Sequence, residues 1–158
     1  MDYSFIIRKA QPCDAKAIQG IIEEAFEKYI KDTGFSGTME ALGESVKDIK
    51  NDIESKEVFI AMIDDLPVGT IRIQISPDNT AYISRFGVRP QYHDMGIGRS
   101  MMLLVDKLLI SSGVKKVSLH TASKYRELMR FYYGGNFYVD STTKDRGYVR
   151  ALMVKYYD

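Results

Sequence analysis

The chain has 158 residues, 45% hydrophobic and 27% charged, a length that suits one domain spanning 1–158 with a sizeable core. Lys and Arg number 22 against 21 acidic residues, so the basic field with which nucleic-acid binders neutralise phosphates is missing and no nucleic-acid partner is expected. The single cysteine, Cys13, can form no internal disulfide, the N-terminus lacks an unbroken apolar leader, and Asp106 and Lys107 interrupt the longest apolar stretch, which together predict a cytoplasmic protein with no membrane partner.

Phe5 to Lys9 reads as a first strand, stopped by Pro12-Cys13-Asp14, with Asp14 as the N-cap of the helix that follows. Ile18, Ile21, Ile22, Ala25, Phe26 and Tyr29 share one face of that helix, and Lys16, Glu23, Glu24, Glu27 and Lys28 cover the other. Lys31 to Gly37 carries two glycines and reads as a loop. Leu42, Val46, Ile49 and Ile53 then predict a second helix from about Met39 to Glu54, with a narrow stripe and shallow burial. Val58 to Ile63 and Val68 to Ile75 form a hairpin across Asp64-Asp65-Leu66-Pro67. After the turn Ser76 to Asn79, Ala81 to Val88 makes the next strand. The helix from Ser100 to Ile110 puts Met101, Leu104, Val105 and Leu108 on one buried face, and Ser112-Gly113 ends it. Lys116 to Thr121 returns to the sheet as a short strand. Tyr125 to Tyr133 is a short helix ended by Gly134-Gly135, and Phe137 to Thr143 with Arg150 to Tyr156 closes the sheet.

The segment Val88-Arg89-Pro90-Gln91-Tyr92-His93-Asp94-Met95-Gly96-Ile97-Gly98-Arg99 leaves a strand and enters a helix through two glycines. At a helix start the first N–H groups lack intrahelical partners, the dipole favours an anion, and glycine lets a phosphate approach the main chain. The spacing fits neither a Walker A loop, which needs Gly-Lys-Ser/Thr, nor a dinucleotide fingerprint, whose third glycine is replaced by Met101.

The segment resembles the acetyl-CoA loop of the GNAT N-acetyltransferase superfamily, a strand ending in Val-x-Pro followed by Gln/Arg-x-x-Gly-x-Gly/Ala. Val88, Pro90, Gly96 and Gly98 match, and His93 stands where the family usually has Gln or Arg. Ile7-Arg8-Lys9-Ala10 with Asp14 is similar to the family's opening strand and helix, and Phe131-Tyr132 with Phe137 to its Tyr-x-x-x-Gly-Phe segment, with Asn136 for the glycine. The order of elements agrees along nearly the whole chain. The resemblance implies an α/β, GNAT-like single domain: a mixed central sheet of about six to seven strands flanked by about four helices, in the order β-α-α-β-β-β-α-β-α-β-β.

It further implies an acetyl-CoA dependent N-acetyltransferase that moves the acetyl group to a primary amine by direct attack in a ternary complex, with no metal. Acetyl-CoA would be held by backbone amides from His93, Asp94, Met95, Gly96, Ile97 and Gly98 to Arg99, whose side chain can add a charge-assisted contact. Phe86, Gly87 and Val88 would pair with the pantetheine through the main chain, Gly87 suiting a bulge there. Tyr132 falls where the family places the tyrosine facing the thiol, which assigns it as general acid. Many relatives carry a glutamate base where this chain has Ser84; Glu23, Glu24, Tyr82, His120 and bulk solvent are the alternatives. The acceptor, a small-molecule or peptide amine, would lie among the first two helices, Gly34-Phe35-Ser36-Gly37 and the hairpin around Arg146-Gly147-Tyr148. Near-neutral overall charge favours neither a strongly anionic nor a strongly cationic acceptor. A homodimer is compatible with the family. The alternative reading is a non-catalytic acyl-CoA binding or sensing module, since Ser84 and His93 both depart from common patterns.

Overall fold

The computed structural model describes residues 4–33 and 40–158. Its elements are β1 (Ile6–Lys9), α1 (Ala15–Thr33), α2 (Val46–Ser55), β2 (Glu57–Ile63), β3 (Leu66–Ile75), β4 (Thr80–Val88), α3 (Ile97–Ser111), β5 (Lys116–Ala122), α4 (Arg126–Gly134), β6 (Tyr138–Thr143) and β7 (Arg150–Tyr156). Short 3-10 turns stand at Pro12–Asp14, Glu40–Gly43 and Pro90–Met95. The strands form one sheet in the order β1-β2-β3-β4-β5-β7-β6, antiparallel except for the parallel pair β4–β5. This is the expected α/β order, with seven strands and four α-helices among the described residues. None of the described helices is long and apolar enough to cross a membrane.

Burial sorts the sheet into two apolar layers. Alternation along β4 and β5 sends Ala81, Ile83, Val117 and Leu119 to one face, where they meet Ile97, Met101, Val105 and Leu109 of α3. Leu104 and Leu108, expected on that buried face with Met101 and Val105, are only partly buried. On the opposite layer Ile18, Ile21 and Ile22 of α1 pack with Ile49 of α2 and with Val58 and Ile60 of β2. Ala25, Phe26 and Tyr29 continue the α1 stripe but are only half-buried, because that end of the helix lies beside a cleft.

Several boundaries shift for local reasons. Asp14 is not the N-cap of α1: its carboxylate accepts from the Gln11 N–H at 2.7 Å and from Arg8 at 2.7 and 2.9 Å, closing a capping box on the preceding 3-10 turn. Helix α1 runs through Lys31 to Thr33, which were expected in the loop; Gly34 to Met39 lie outside the described residues. The predicted second helix is split. Ser45, with Asp48, builds a capping box that starts α2 at Val46, and Glu40–Gly43 remains a separate 3-10 turn. Its burial is deeper than expected at one point, since Ile49 is fully enclosed. The β2–β3 turn is only Asp64-Asp65, with Asp64 at φ 53° and Ile63 already paired to Leu66, so Pro67 belongs to β3 at a bulge.

A charged knot lies under β4. Arg72 alternates inward from β3 and is fully buried, its guanidinium held by Glu44 at 2.5 and 2.7 Å and by Asp52 at 2.9 Å. Glu44 thereby ties the stretch before α2 to the centre of the sheet. A second close approach fixes α1 against β4: a Cβ added to Gly87 would stand 2.8 Å from the Cβ of Ala25. We expect Gly87→Ala to lose about 1–3 kcal/mol in urea denaturation, as overpacked contacts do. Adding Ala25→Gly should recover part of that loss; no recovery would show that the contact is not its cause.

Candidate active site

The cleft forms where the sheet opens. Thr80, Ala81 and Tyr82 pair with Lys116, Val117 and Ser118, and there the β4–β5 ladder stops. From Ile83 to Val88 the β4 edge facing β5 has no strand partner among the described residues, while its other edge stays paired with β3 as far as Val88. A bulge turns the strand at this point. Thr70 opposes Gly87 and Arg72 opposes Ser84, so Arg85 and Phe86 together face Ile71, with Arg85 at φ 50°. The sequence placed the bulge at Gly87; it is centred at Arg85, and Gly87 is small because α1 crosses over it. A cleft of about 950 Å³ occupies the opening.

The glycine loop closes one end of this cleft. Gly96 is left-handed at φ 78° and caps α3, and the Ser100 N–H is the first to bond back, to the Gly96 carbonyl at 3.0 Å. The amides of Ile97, Gly98 and Arg99 therefore have no partner within the helix. A Cβ at Gly96 would meet nothing within 4 Å, whereas one at Gly98 would reach the Phe86 ring at 3.3 Å. Phe86, Gly87, Val88, His93, Asp94, Gly96, Gly98 and Arg99 all line the cleft. Met95 and Ile97 do not: the Ile97 side chain is buried in the core and Met95 packs against it. The His93 Nε2–H donates to the Val88 carbonyl at 2.8 Å, so the imidazole braces the end of β4.

Tyr132 comes from α4. Its neighbour Tyr133 is 51% exposed, whereas Tyr132 is 6% exposed, lines the cleft and makes edge contacts with Phe131 and Phe137 at 5.3 and 5.9 Å. Burial raises its hydroxyl pKa well above the ordinary phenol value. The turn after α4 holds Asn136 at φ 72°, the left-handed geometry that asparagine tolerates in place of glycine.

On the α1 side of the sheet, Tyr82 and His120 project from neighbouring strands and their Tyr82 Oη and His120 Nδ1 lie 2.6 Å apart. Burial, then the Arg150 charge, lower the imidazole pKa and keep it neutral, while burial raises that of the phenol. Ser84 also lines the cleft. Glu23 is exposed outside it, and Glu24 is taken by Arg89 at 2.9 Å. Of the four side chains considered for the base, the cleft brings together only Tyr82 and His120. Tyr29 spans the opening, its hydroxyl accepting the Ala122 N–H at 2.7 Å. Arg85 and Arg150, which the sequence reading passed over, stand on this wall with Arg146 and Tyr148.

Residues 22–135 match the model of the acetyltransferase (GNAT) family. The chain belongs to that family. Three solved structures share its fold. The PaiA N-acetyltransferase from Thermoplasma acidophilum, in complex with coenzyme A, is 22% identical over 98% of this chain and 99% of its own, with a TM-score of 0.85. The ribosomal-protein-S18-alanine N-acetyltransferase from Escherichia coli shows 16% identity over 96% and 92%, with a TM-score of 0.76. Ard1 from Thermoplasma volcanium shows 18% over 96% and 97%, with a TM-score of 0.76. At these identities the likeness is one of fold, so the GNAT membership rests on the family match and the chemistry on the residues of the cleft.

Proposed function

We propose that the whole chain works as one acyl-CoA N-acyltransferase domain that transfers the acetyl group of acetyl-CoA to a primary amine by direct attack. One observation carries this reading: a strand edge without a strand partner, Ile83 to Val88, runs between unpaired α3 amides and a buried tyrosine within a single cleft. The donor set fits the cosubstrate at both ends. The N–H groups of Ile97, Gly98 and Arg99 suit a diphosphate, and Gly96 leaves its approach clear. The free edge of β4 offers alternating N–H and C=O groups to an extended pantetheine, whose amides would continue the sheet. His93 contributes by holding Val88 in place rather than by contacting phosphate.

Acetyl-CoA supplies the thioester carbon. A backbone N–H of the bulged β4 segment polarises its carbonyl, since the oxyanion develops beside the strand. The amine nitrogen forms the new C–N bond, and Tyr82 takes the amine proton while passing its own to His120 Nδ1. Their 2.6 Å contact and the neutral imidazole make that relay available. As the C–S bond breaks, Tyr132 donates its proton to the leaving thiolate. His120 then releases its extra proton and Tyr132 regains one through solvent, which restores both and balances the amine proton against the one given to the thiolate. No cysteine nucleophile is involved: Cys13 is exposed and does not line the cleft.

Release of free thiol from acetyl-CoA in the presence of an amine panel tests the proposal. Thiol release dependent on both partners is expected; CoA binding with no turnover would favour the non-catalytic module. Tyr132→Phe should lower kcat about ten- to a hundredfold, with little change in the KM for acetyl-CoA or in thermal stability. The raised pKa keeps the contribution in the lower range, because a weaker acid relies more on hydrogen bonding to the sulfur than on proton transfer. An unaltered kcat across the pH range would remove Tyr132 from the mechanism.

A further inference from the structure

Three arginines converge on the sheet face that carries Tyr82 and His120. Arg85 stands at the β4 bulge, Arg150 opens β7 opposite Ala122 at the end of β5, and Arg146 lies on the connection between β6 and β7. All line the cleft. Their charges act together on Tyr82, and those of Arg146 and Arg150 act on His120, where Asp145 opposes them.

Their protein partners do not account for them. Arg146 meets Glu40 at 3.3 Å, and both side chains are largely exposed. Arg150 is 12% exposed, yet its partner Asp145 is 59% exposed and 3.3 Å away. Arg85 Nε reaches Glu44 only at 3.7 Å, beyond hydrogen-bond range, and Glu44 is already committed to Arg72. The Arg146 and Arg150 pairs each involve an exposed carboxylate, and such pairs contribute little to stability. The Nε atoms of both Arg85 and Arg150 are buried without a hydrogen-bond acceptor among the described residues. A buried guanidinium donor left unpaired is unfavourable, and two of them in one cleft, with no acceptor among the described residues, suit an acceptor brought by a ligand.

We propose that the acceptor is an amine bearing an anionic oxygen group, a carboxylate or a phosphate, which Arg85 and Arg150 receive so that the amine meets the Tyr82–His120 pair. This deepens the transfer reading above and rests on it. Planar guanidinium groups match both anions through paired N–H donors, and a cleft wall of three arginines repels polycationic amines. Arg146, on the connection between β6 and β7, sets the outer edge of the same positive wall and exchanges its exposed Glu40 contact for the ligand.

Matched acceptors separate the outcomes: an ω-amino acid and its amide, an aminoalkyl phosphate and the corresponding amino alcohol, and a diamine of equal length, each with acetyl-CoA and thiol release as readout. The anionic member of at least one pair should exceed its uncharged partner in kcat/KM by about tenfold or more, as a charge-assisted bond gained or lost implies. The two pairs distinguish carboxylate from phosphate. Arg85→Gln and Arg150→Gln should each shrink that preference about tenfold, with CoA still raising the Tm as evidence of folding. Equal use of both members, or preference for the diamine, overturns the inference while leaving the transfer reading intact. Failure of every amine to release thiol, with CoA still raising the Tm, instead overturns the transfer reading and this inference with it.

Discussion

Replacing Arg72 by methionine is expected to destabilise the fold by about 3–5 kcal/mol, the range seen when one partner of a buried ion pair is removed. Methionine fills the space of the stem, so the loss is electrostatic. Glu44, only 10% exposed at its side chain, would keep Arg85 at 3.7 Å as its nearest remaining cation, and Asp52 would keep Lys56 at 3.4 Å. Neither replaces the three short contacts made by the guanidinium. Urea denaturation measures the loss, and Arg72→Met combined with Glu44→Gln should recover part of it by removing the stranded charge. A single-variant loss below about 1 kcal/mol, the value of an ordinary surface pair, would show that the knot is dispensable. Because Glu44 follows directly on the Glu40–Gly43 turn at the cleft wall, acceptor KM should rise in the variant more than the Kd for CoA.

Gly96→Val should weaken CoA binding about a hundredfold or more, since losing two charge-assisted amide contacts of about 1.5–3 kcal/mol each reaches that factor. A β-branched residue resists φ 78°, and relief of that strain rotates the very amides that open α3. The side chain would also enter the open space on the approach to the loop. Gly113 provides the control. It has the same φ of 78° and the same empty surroundings, but lies past the other end of α3. Gly113→Val should therefore cost comparable stability while leaving the Kd for CoA unchanged, as titration calorimetry would show. If both variants bind CoA with wild-type affinity, the glycine loop does not hold the diphosphate.

The path of the chain was legible where periodicity is local. The α1 stripe through Ile18, Ile21 and Ile22, the strands β4 and β5 and the glycine pair at the start of α3 each follow from neighbouring residues, and the structure places them as read. What was missed depends on distant partners. Arg72 between Ile71 and Ile73 looks like the polar half of an alternating strand, yet it is buried because Glu44 and Asp52 arrive from α2 and the stretch before it. Ser45 with Asp48 was a capping box visible in the sequence, and it outweighed the apolar spacing that ran the second helix through Gly43. The bulge went to Arg85 rather than Gly87 because glycine can mark a close approach as readily as a backbone irregularity. Arg146 was legible as part of the acceptor hairpin, but a net charge of +1 concealed that Arg85 and Arg150 join it, since the three come from separate strands and connections and are balanced by carboxylates elsewhere.

The short β4–β5 junction has a consequence for turnover. An occupant bonded along Ile83 to Val88 becomes, for as long as it stays, an extra strand stitched into the middle of the protein. Every such stitch must be undone before the spent carrier leaves, so firmer holding and quicker discharge work against each other. On the proposed reading, the point where the sheet parts also sets the tempo of turnover.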